Sequence, residues 1–281
     1  MQTNYEHCTA LVREADRDRY LAALFAPAAH RNGLFALYAF NIEIARVRDV
    51  AREPMPGEIR LQWWREALGG ERASEAAAHP VAAALLDTLS HYGFVSAPLL
   101  ELIDAHTFDL YDEPMPSIDA LELYGIRTQS PVFAMAAGIL QAGTPPADLL
   151  TLDVSVAYAL GHVLSRFGQH AARRQLYLPL DLLDRHGADP NTIFAGQTSG
   201  VLEAALAELR DIARQHLNAA QSTFQSAPAD ILPALLPVAL VGPLLRRMER
   251  ADPFRFEPLP AWRRQWLLWR AARDPRRIFA A

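Results

Sequence analysis

Cysteine is almost missing: Cys8 is the only one in 281 residues, which excludes an internal disulfide and a cysteine-based zinc cluster. A reducing compartment is therefore the default. Strand-like runs of valine, isoleucine and threonine are scarce while alanine and leucine dominate, so an all-α chain is expected. Long apolar runs are also lacking. The longest, Ile231 to Leu245, is cut by Pro233, Pro237 and Pro243 and falls short of the roughly 20 residues a spanning helix needs. Met1 to Tyr20 holds no apolar core of the signal-peptide kind. A soluble, cytoplasmic protein is the expectation. Positive charge is not in excess: the net charge of −5 argues against generic nucleic-acid binding. No phosphate loop, GxGxxG, HExxH or GxSxG elbow is present.

What is there is apolar and helical. Hydrophobic residues make up 51% of the chain, enough for a large core. Helices are predicted over Tyr5–Phe25, Ala28–Ala51, Glu58–Leu68, His79–His91, Ala97–Leu110, Ile118–Leu140, Leu149–Phe167, Gly200–Ser226, Pro233–Glu249 and Pro260–Arg273, with a short turn of helix at Asp181–His186. Pro27, the Glu53–Gly57 stretch, Gly69-Gly70, Gly93 and Pro145-Pro146 supply the stops. The short breaks favour one bundle over residues 1–281 rather than two domains.

The stretch Gly33 to Arg65 carries the first chemical question. Leu34, Leu37, Tyr38, Ile42, Ala45 and Asp49 fall at three- and four-residue steps, so Asp49 extends an apolar stripe. A carboxylate there needs a partner, a metal or water, because burying it bare is costly. Arg46 and Arg48 are its neighbours, and a salt bridge near a helix end is as good a reading as a site. Gln62 and Glu66 share a face, for which a solvated helix edge is the simpler reading; His162, Arg166 and His170 share another, and surface or satisfied core groups are the simpler reading of those histidines than metal ligands. Near the C-terminus Trp262, Trp266 and Trp269 recur at four- and three-residue steps among Arg263, Arg264, Arg270, Arg273, Arg276 and Arg277. The favoured reading has the tryptophans closing the bottom of the bundle; the alternative is a basic helix meeting an anionic membrane surface.

Arg31 with Phe35-Ala-Leu-Tyr-Ala-Phe40, then Asp104, Leu121-Glu-Leu-Tyr124 and Arg127, then Gly168-Gln-His-Ala-Ala-Arg-Arg-Gln-Leu-Tyr-Leu-Pro179, resemble the squalene/phytoene synthase family over roughly Tyr5 to Ala272. The resemblance implies an all-α, single-domain isoprenoid synthase bundle around a central cavity. Active members join two prenyl diphosphates head to head, using magnesium held by two aspartate-rich motifs. Carboxylates one helical turn apart suit that hard ion, which in turn stabilises departing pyrophosphate. Asp18-Arg-Tyr20, Phe40-Asn41-Ile-Glu43, Val47-Arg48-Asp49 and Gln62-Trp63-Trp64 are similar to the branch that includes a mitochondrial complex I assembly factor.

Against the family pattern the first motif falls on Ala45, Arg46, Val47, Arg48 and Asp49, leaving one aspartate; the second falls on Arg166 to His170, leaving none. A guanidinium stays charged and offers a metal no lone pair. The resemblance puts Arg31, Tyr38, Arg127, Arg173 and Tyr177 at or near positions that line the cavity mouth or meet diphosphate. Arg46 and Arg166 are expected to pair with Asp49 and Glu43; the other reading is anion binding without metal. The function expected is binding or membrane-complex assembly of the complex I type. It would run without catalytic residues, metal or cofactor, with a lipid or isoprenoid ligand, a protein partner, no nucleic acid, and peripheral contact with the inner membrane through the C-terminal helix. The alternative is an active prenyltransferase of phytoene or squalene synthase type, which would need magnesium.

Overall fold

A computed structural model describes residues 1–51, 53–143, 148–224 and 228–280. The Pro145-Pro146 stop and the last residues of the Gly200–Ser226 stretch lie outside the described residues. These contain α- and 3-10 helices and no strand. In chain order the α-helices are α1 (Gln2–Ala15), α2 (Arg17–Ala23), α3 (Ala28–Ala45), α4 (Val47–Val50), α5 (Pro54–Gly69), α6 (Ala73–Ala78), α7 (Pro80–Tyr92), α8 (Ala97–Ala105) and α9 (Ile118–Leu140). They continue as α10 (Asp148–Ser165), α11 (Phe167–Ala172), α12 (Leu180–His186), α13 (Pro190–Phe194), α14 (Gly200–Phe224), α15 (Leu232–Leu235), α16 (Val241–Met248) and α17 (Ala261–Arg273).

Two compact units take alternating stretches of chain. The first comprises Met1–Tyr111, Pro131–Asp148 and Ala227–Pro237, and the second the remaining stretches. In the first, α3 is the central helix. Gly33 to Ile42 is buried without interruption, so α3 is wrapped on all sides, as an all-round apolar helix must be. The helices α1 and α7 pack on it and on each other. Tyr5 of α1 donates to Asp87 (2.7 Å) and shares a hydrogen bond with Thr88 (3.2 Å), which ties α1 to α7 through polar groups at the edge of that apolar contact.

In the second unit α14 is the amphipathic element. Leu202, Ala205, Leu206, Leu209, Ala213, Leu217 and Ala220 form its buried stripe, and it packs on α12 and α16. His216, half-buried at the edge of that stripe, bridges Asp153 of α10 (2.7 Å) and Glu122 of α9 (3.4 Å). The loop before α9 is laced to the Leu176–Pro179 exit by backbone bonds from Met115 to Leu176 (2.8 Å) and from Leu180 to Met115 (2.9 Å). The run Ala229–Met248 is apolar enough to cross a membrane, but 67% of its 18-residue apolar stretch is buried and it breaks into short 3-10 and α segments around Pro233, Pro237 and Pro243.

Besides the expected Pro233–Glu249 helix, three others expected to run through are interrupted. Asp16 (φ −136°, ψ 77°) separates α1 from α2 and caps α2 by accepting from the Arg19 amide at 3.0 Å. Arg46 (φ −96°, ψ 3°) separates α3 from α4, and Arg166 (φ −105°, ψ 9°) separates α10 from α11. Both arginines sit in the sparsely populated bridge region of backbone space.

Candidate functional site

The break at Arg46 decides where the first set of candidate residues points. Up to Ile44 the α3 stripe is buried, but Ala45, Arg46 and Asp49 are exposed. Asp49 therefore does not continue a core-facing stripe: the stripe already reaches the surface at Ala45, before the non-helical Arg46, and α4 buries Val47 instead. Arg48 is half-buried, and neither it nor Asp49 is without a partner. Glu43 is half-buried, with its charge acting on Cys8 and His79. The expected pairing of Arg46 with Asp49 or Glu43 is not formed: within its unit Arg46 has no ion-pair partner among the described residues. Exposure explains this, since a guanidinium in water needs no carboxylate to offset burial.

Arg31 and Tyr38 lie deeper in the same unit. The Arg31 guanidinium donates to the carbonyls of Ala26 and Leu24, both at 2.9 Å, and so closes the α2–α3 turn. Tyr38 is 2% exposed and lies under the Arg19 guanidinium, 5.4 Å from its ring centre. Burial pushes its phenol up, and the nearby Arg19 charge opposes that only in part. Arg19 itself is 3% exposed, held by Asp16 at 3.6 Å and by the Phe133 ring at 5.9 Å.

The Gln62-Trp63-Trp64 block borders an open groove of about 520 Å³ lined by Glu58, Ile59, Trp63, Glu66, Arg72 and Thr107 among others. Gln62 and Glu66 do share a face, and Gln62 donates to Glu66 at 2.9 Å. Arg72 bonds Glu66 and Glu75, the Trp63 indole donates to Glu75 at 2.9 Å, and Arg65 pairs with Asp104 at 2.7 Å. The hydrogen bond from Arg72 holds the Glu66 carboxyl below its usual range, and the Trp63 N–H does the same for Glu75. Trp64 faces inward, edge-on to Phe40 at 5.2 Å. Sequence reading missed Arg72 and Glu75, because they lie past the Gly70 turn and share no periodicity with α5.

In the second unit Arg166 is exposed at its break, and within that unit it too has no carboxylate partner among the described residues. The break also splits the face expected to hold His162, Arg166 and His170. His162 packs on Tyr158 (4.3 Å) of α10, whereas His170 turns to Tyr177 (4.6 Å). Tyr177 is 8% exposed and also meets Tyr124 (5.8 Å), one turn before the exposed Arg127 on α9. Arg173 is exposed at the end of α11. The cleft lined by Phe167, His170, Gln175 and Tyr177 holds only about 10 Å³, space for a water molecule rather than a substrate. Among the described residues no three His, Cys, Asp or Glu side chains come together as a metal site.

At the end of this unit α17 buries Leu268 and Ala271 and leaves Trp262, Trp266 and Trp269 at 69%, 46% and 43% exposure. The tryptophans do not close the core. Two-residue aliphatic contacts dock the helix, and the indoles take the opposite side.

A sequence model of the squalene/phytoene synthase family matches residues 12–270. NADH dehydrogenase (ubiquinone) complex I, assembly factor 6, of Rattus norvegicus is 29% identical over 252 residues, covering 90% of this chain and 76% of that protein. The Homo sapiens protein of the same name is 27% identical over the same shares. The 15-cis-phytoene synthase of Synechocystis is more distant, 24% identical over 68% of this chain and 60% of that enzyme. Among solved structures a dehydrosqualene synthase superposes with a TM-score of 0.78 over 96% of this chain and 95% of its own, at 18% identity. The squalene synthase HpnC from Alicyclobacillus acidocaldarius gives 0.67 over 97% and 94%, at 19% identity. These likenesses identify the all-helical isoprenoid synthase fold, and the chain belongs to the squalene/phytoene synthase family.

Proposed function

We propose that this protein acts without the magnesium-dependent ionisation of its family and serves in assembly of a membrane complex of the respiratory complex I type. The observation that carries the reading is the residue set where the aspartate motifs would stand: Ala45 and Arg46 at one break, Arg166 and His170 at the other. Magnesium takes oxygen ligands in near-octahedral geometry. Alanine and arginine offer it no lone pair, and histidine offers a nitrogen, so these residues do not fit the ion. The likeness to proteins named complex I assembly factor 6, over 90% of this chain, supports the assembly half of the reading.

The first test is incubation of the purified protein with farnesyl or geranylgeranyl diphosphate and magnesium, following pyrophosphate release. No turnover above background, with cooperative thermal melting intact, is expected. Clear turnover would overturn the reading and make Arg46 and Arg166 anion-binding groups of an active prenyltransferase. The second test is deletion of the gene in its own cells. Assembled complex should fall while its separate subunits are still made; an undiminished complex would remove the assembly role.

A further inference from the structure

We propose that the tryptophan side of α17 is a docking surface for an anionic lipid bilayer. Trp262, Trp266 and Trp269 span two turns, about 10 Å along the axis, on the side away from the buried Leu268 and Ala271. Large exposed aromatics in a row are not needed to hold this helix in place, since its other side and the Phe224–Phe279 ring contact (5.2 Å) do that. An exposed apolar row of this size marks an interaction surface.

The charge around it selects the partner. From Ala261 to Arg277 there are six arginines and one acid, Asp274, and Asp274 already accepts from Arg277 at 2.9 Å. The segment is thus +5 in a chain whose net charge is −5. Its cations lie at the indoles themselves: the Arg270 guanidinium sits 4.3 Å from the Trp266 ring centre and Arg273 sits 4.0 Å from that of Trp269. Stacking brings an apolar ring and a phosphate-binding fork to one depth. A bilayer interface offers the matching pair at one depth, with headgroup phosphates beside the first methylenes. Arginine also grips phosphate bidentately, and all 27 basic residues of this chain are arginine. A protein partner would have to supply several unpaired carboxylates around three aromatic pockets, whereas an anionic leaflet supplies that surface wherever the helix lands. The inference rests on α17 alone and holds whether the protein assembles complexes or handles prenyl chains.

The experiment is co-sedimentation of the full chain with vesicles of equal phosphatidylglycerol and phosphatidylcholine, against phosphatidylcholine alone, with tryptophan emission recorded. Binding to the anionic vesicles alone, weakened by salt and accompanied by a blue shift, is expected. Replacing Trp262, Trp266 and Trp269 together by alanine should weaken binding at least about tenfold, and Arg263→Glu with Arg276→Glu should do likewise. These positions are exposed, so the variants should melt as wild type does; truncation at Trp262 would instead strip Leu268, Ile278 and Phe279 from the core. No binding by the wild type, equal binding to both vesicle types, or unchanged binding by the melted-alike tryptophan variant each overturns the proposal. So does concentration-dependent dimerisation, in place of vesicle binding, that the tryptophan variant loses, because the face would then belong to a second copy.

Discussion

Burial pushes the Cys8 thiol up to about 12, and the negative charge of Glu43 adds to the effect. The nucleophile is the thiolate, so the native protein should react very slowly with a disulfide reagent at mildly alkaline pH and at the rate of a free thiol once unfolded in urea. Fast reaction of the folded protein would contradict the burial. His79 shows the converse. Its Nδ1 accepts from the Ala82 amide at 3.3 Å and caps α7, and its ring lies between Trp63 (5.1 Å) and Trp64 (5.4 Å). Burial pulls its pKa below the ordinary 6.5, while Glu43 pulls the other way. The unfolded chain therefore binds the proton first as pH falls. Its contribution to stability is complete above about pH 6.5 and is lost as pH drops toward the folded value. His79→Asn keeps a capping oxygen that does not titrate in this range, so urea midpoints of the variant should fall less between wild-type values at neutral and mildly acidic pH. An equal slope in both proteins would place the acid sensitivity elsewhere. None of this was legible in the sequence, where His79 stood only at the start of a predicted helix.

At the scale of elements, the helix ends set by Pro27, Gly70 and Gly93 were legible, because those residues remove an amide or accept positive φ; Gly70 and Gly93 have φ of +88° and +69°. The breaks at Arg46 and Arg166 were not, because arginine is an ordinary helix former and carries no stop signal, and Asp16 shows as a cap only once its side chain is seen accepting from the Arg19 amide. The stripe that made Asp49 look core-facing already reaches the surface at Ala45, and the break at Arg166 is why His162 and His170 part company. The position of α11 depends on one glycine in the block that carried the family resemblance. A Cβ on Gly168 would overlap the backbone of Phe254 in the 3-10 turn Pro253–Arg255. Backbone cannot rotate away as a side chain can, so Gly168→Ala should lower unfolding free energy by roughly 1–3 kcal/mol. Gly200→Ala is the control: a Cβ at that first position of α14 meets nothing within 4 Å, and no loss is expected. Equal urea midpoints for both variants would mean that α11 is free to shift from the turn.

For the whole molecule, composition and helical spacing made the all-α class and the family legible, since many weak preferences add over long segments. The order in which the chain fills its two units was not, because no Gly/Ser-rich linker or change of composition marks the crossings. The first unit draws Pro131–Asp148 and Ala227–Pro237 from far along the chain. Those returns are structural. Phe133 supports the buried Arg19, Ile139 lies 3.5 Å from where a Cβ on Gly33 would be, and α15 packs on α2. Residues 1–111 alone would leave α3, buried on every side in the full chain, with apolar surface uncovered and Arg19 without the Phe133 ring. An unmatched apolar helix of that length gains too little burial to offset the entropy of ordering the rest. The isolated fragment is therefore expected to lack a cooperative thermal transition and to bind a hydrophobic dye, even though the sequence before Pro131 looks like a run of complete helices. A sharp melt of fragment 1–111, with dye binding no greater than that of the whole protein, would show that the returning segments decorate a finished core rather than complete it.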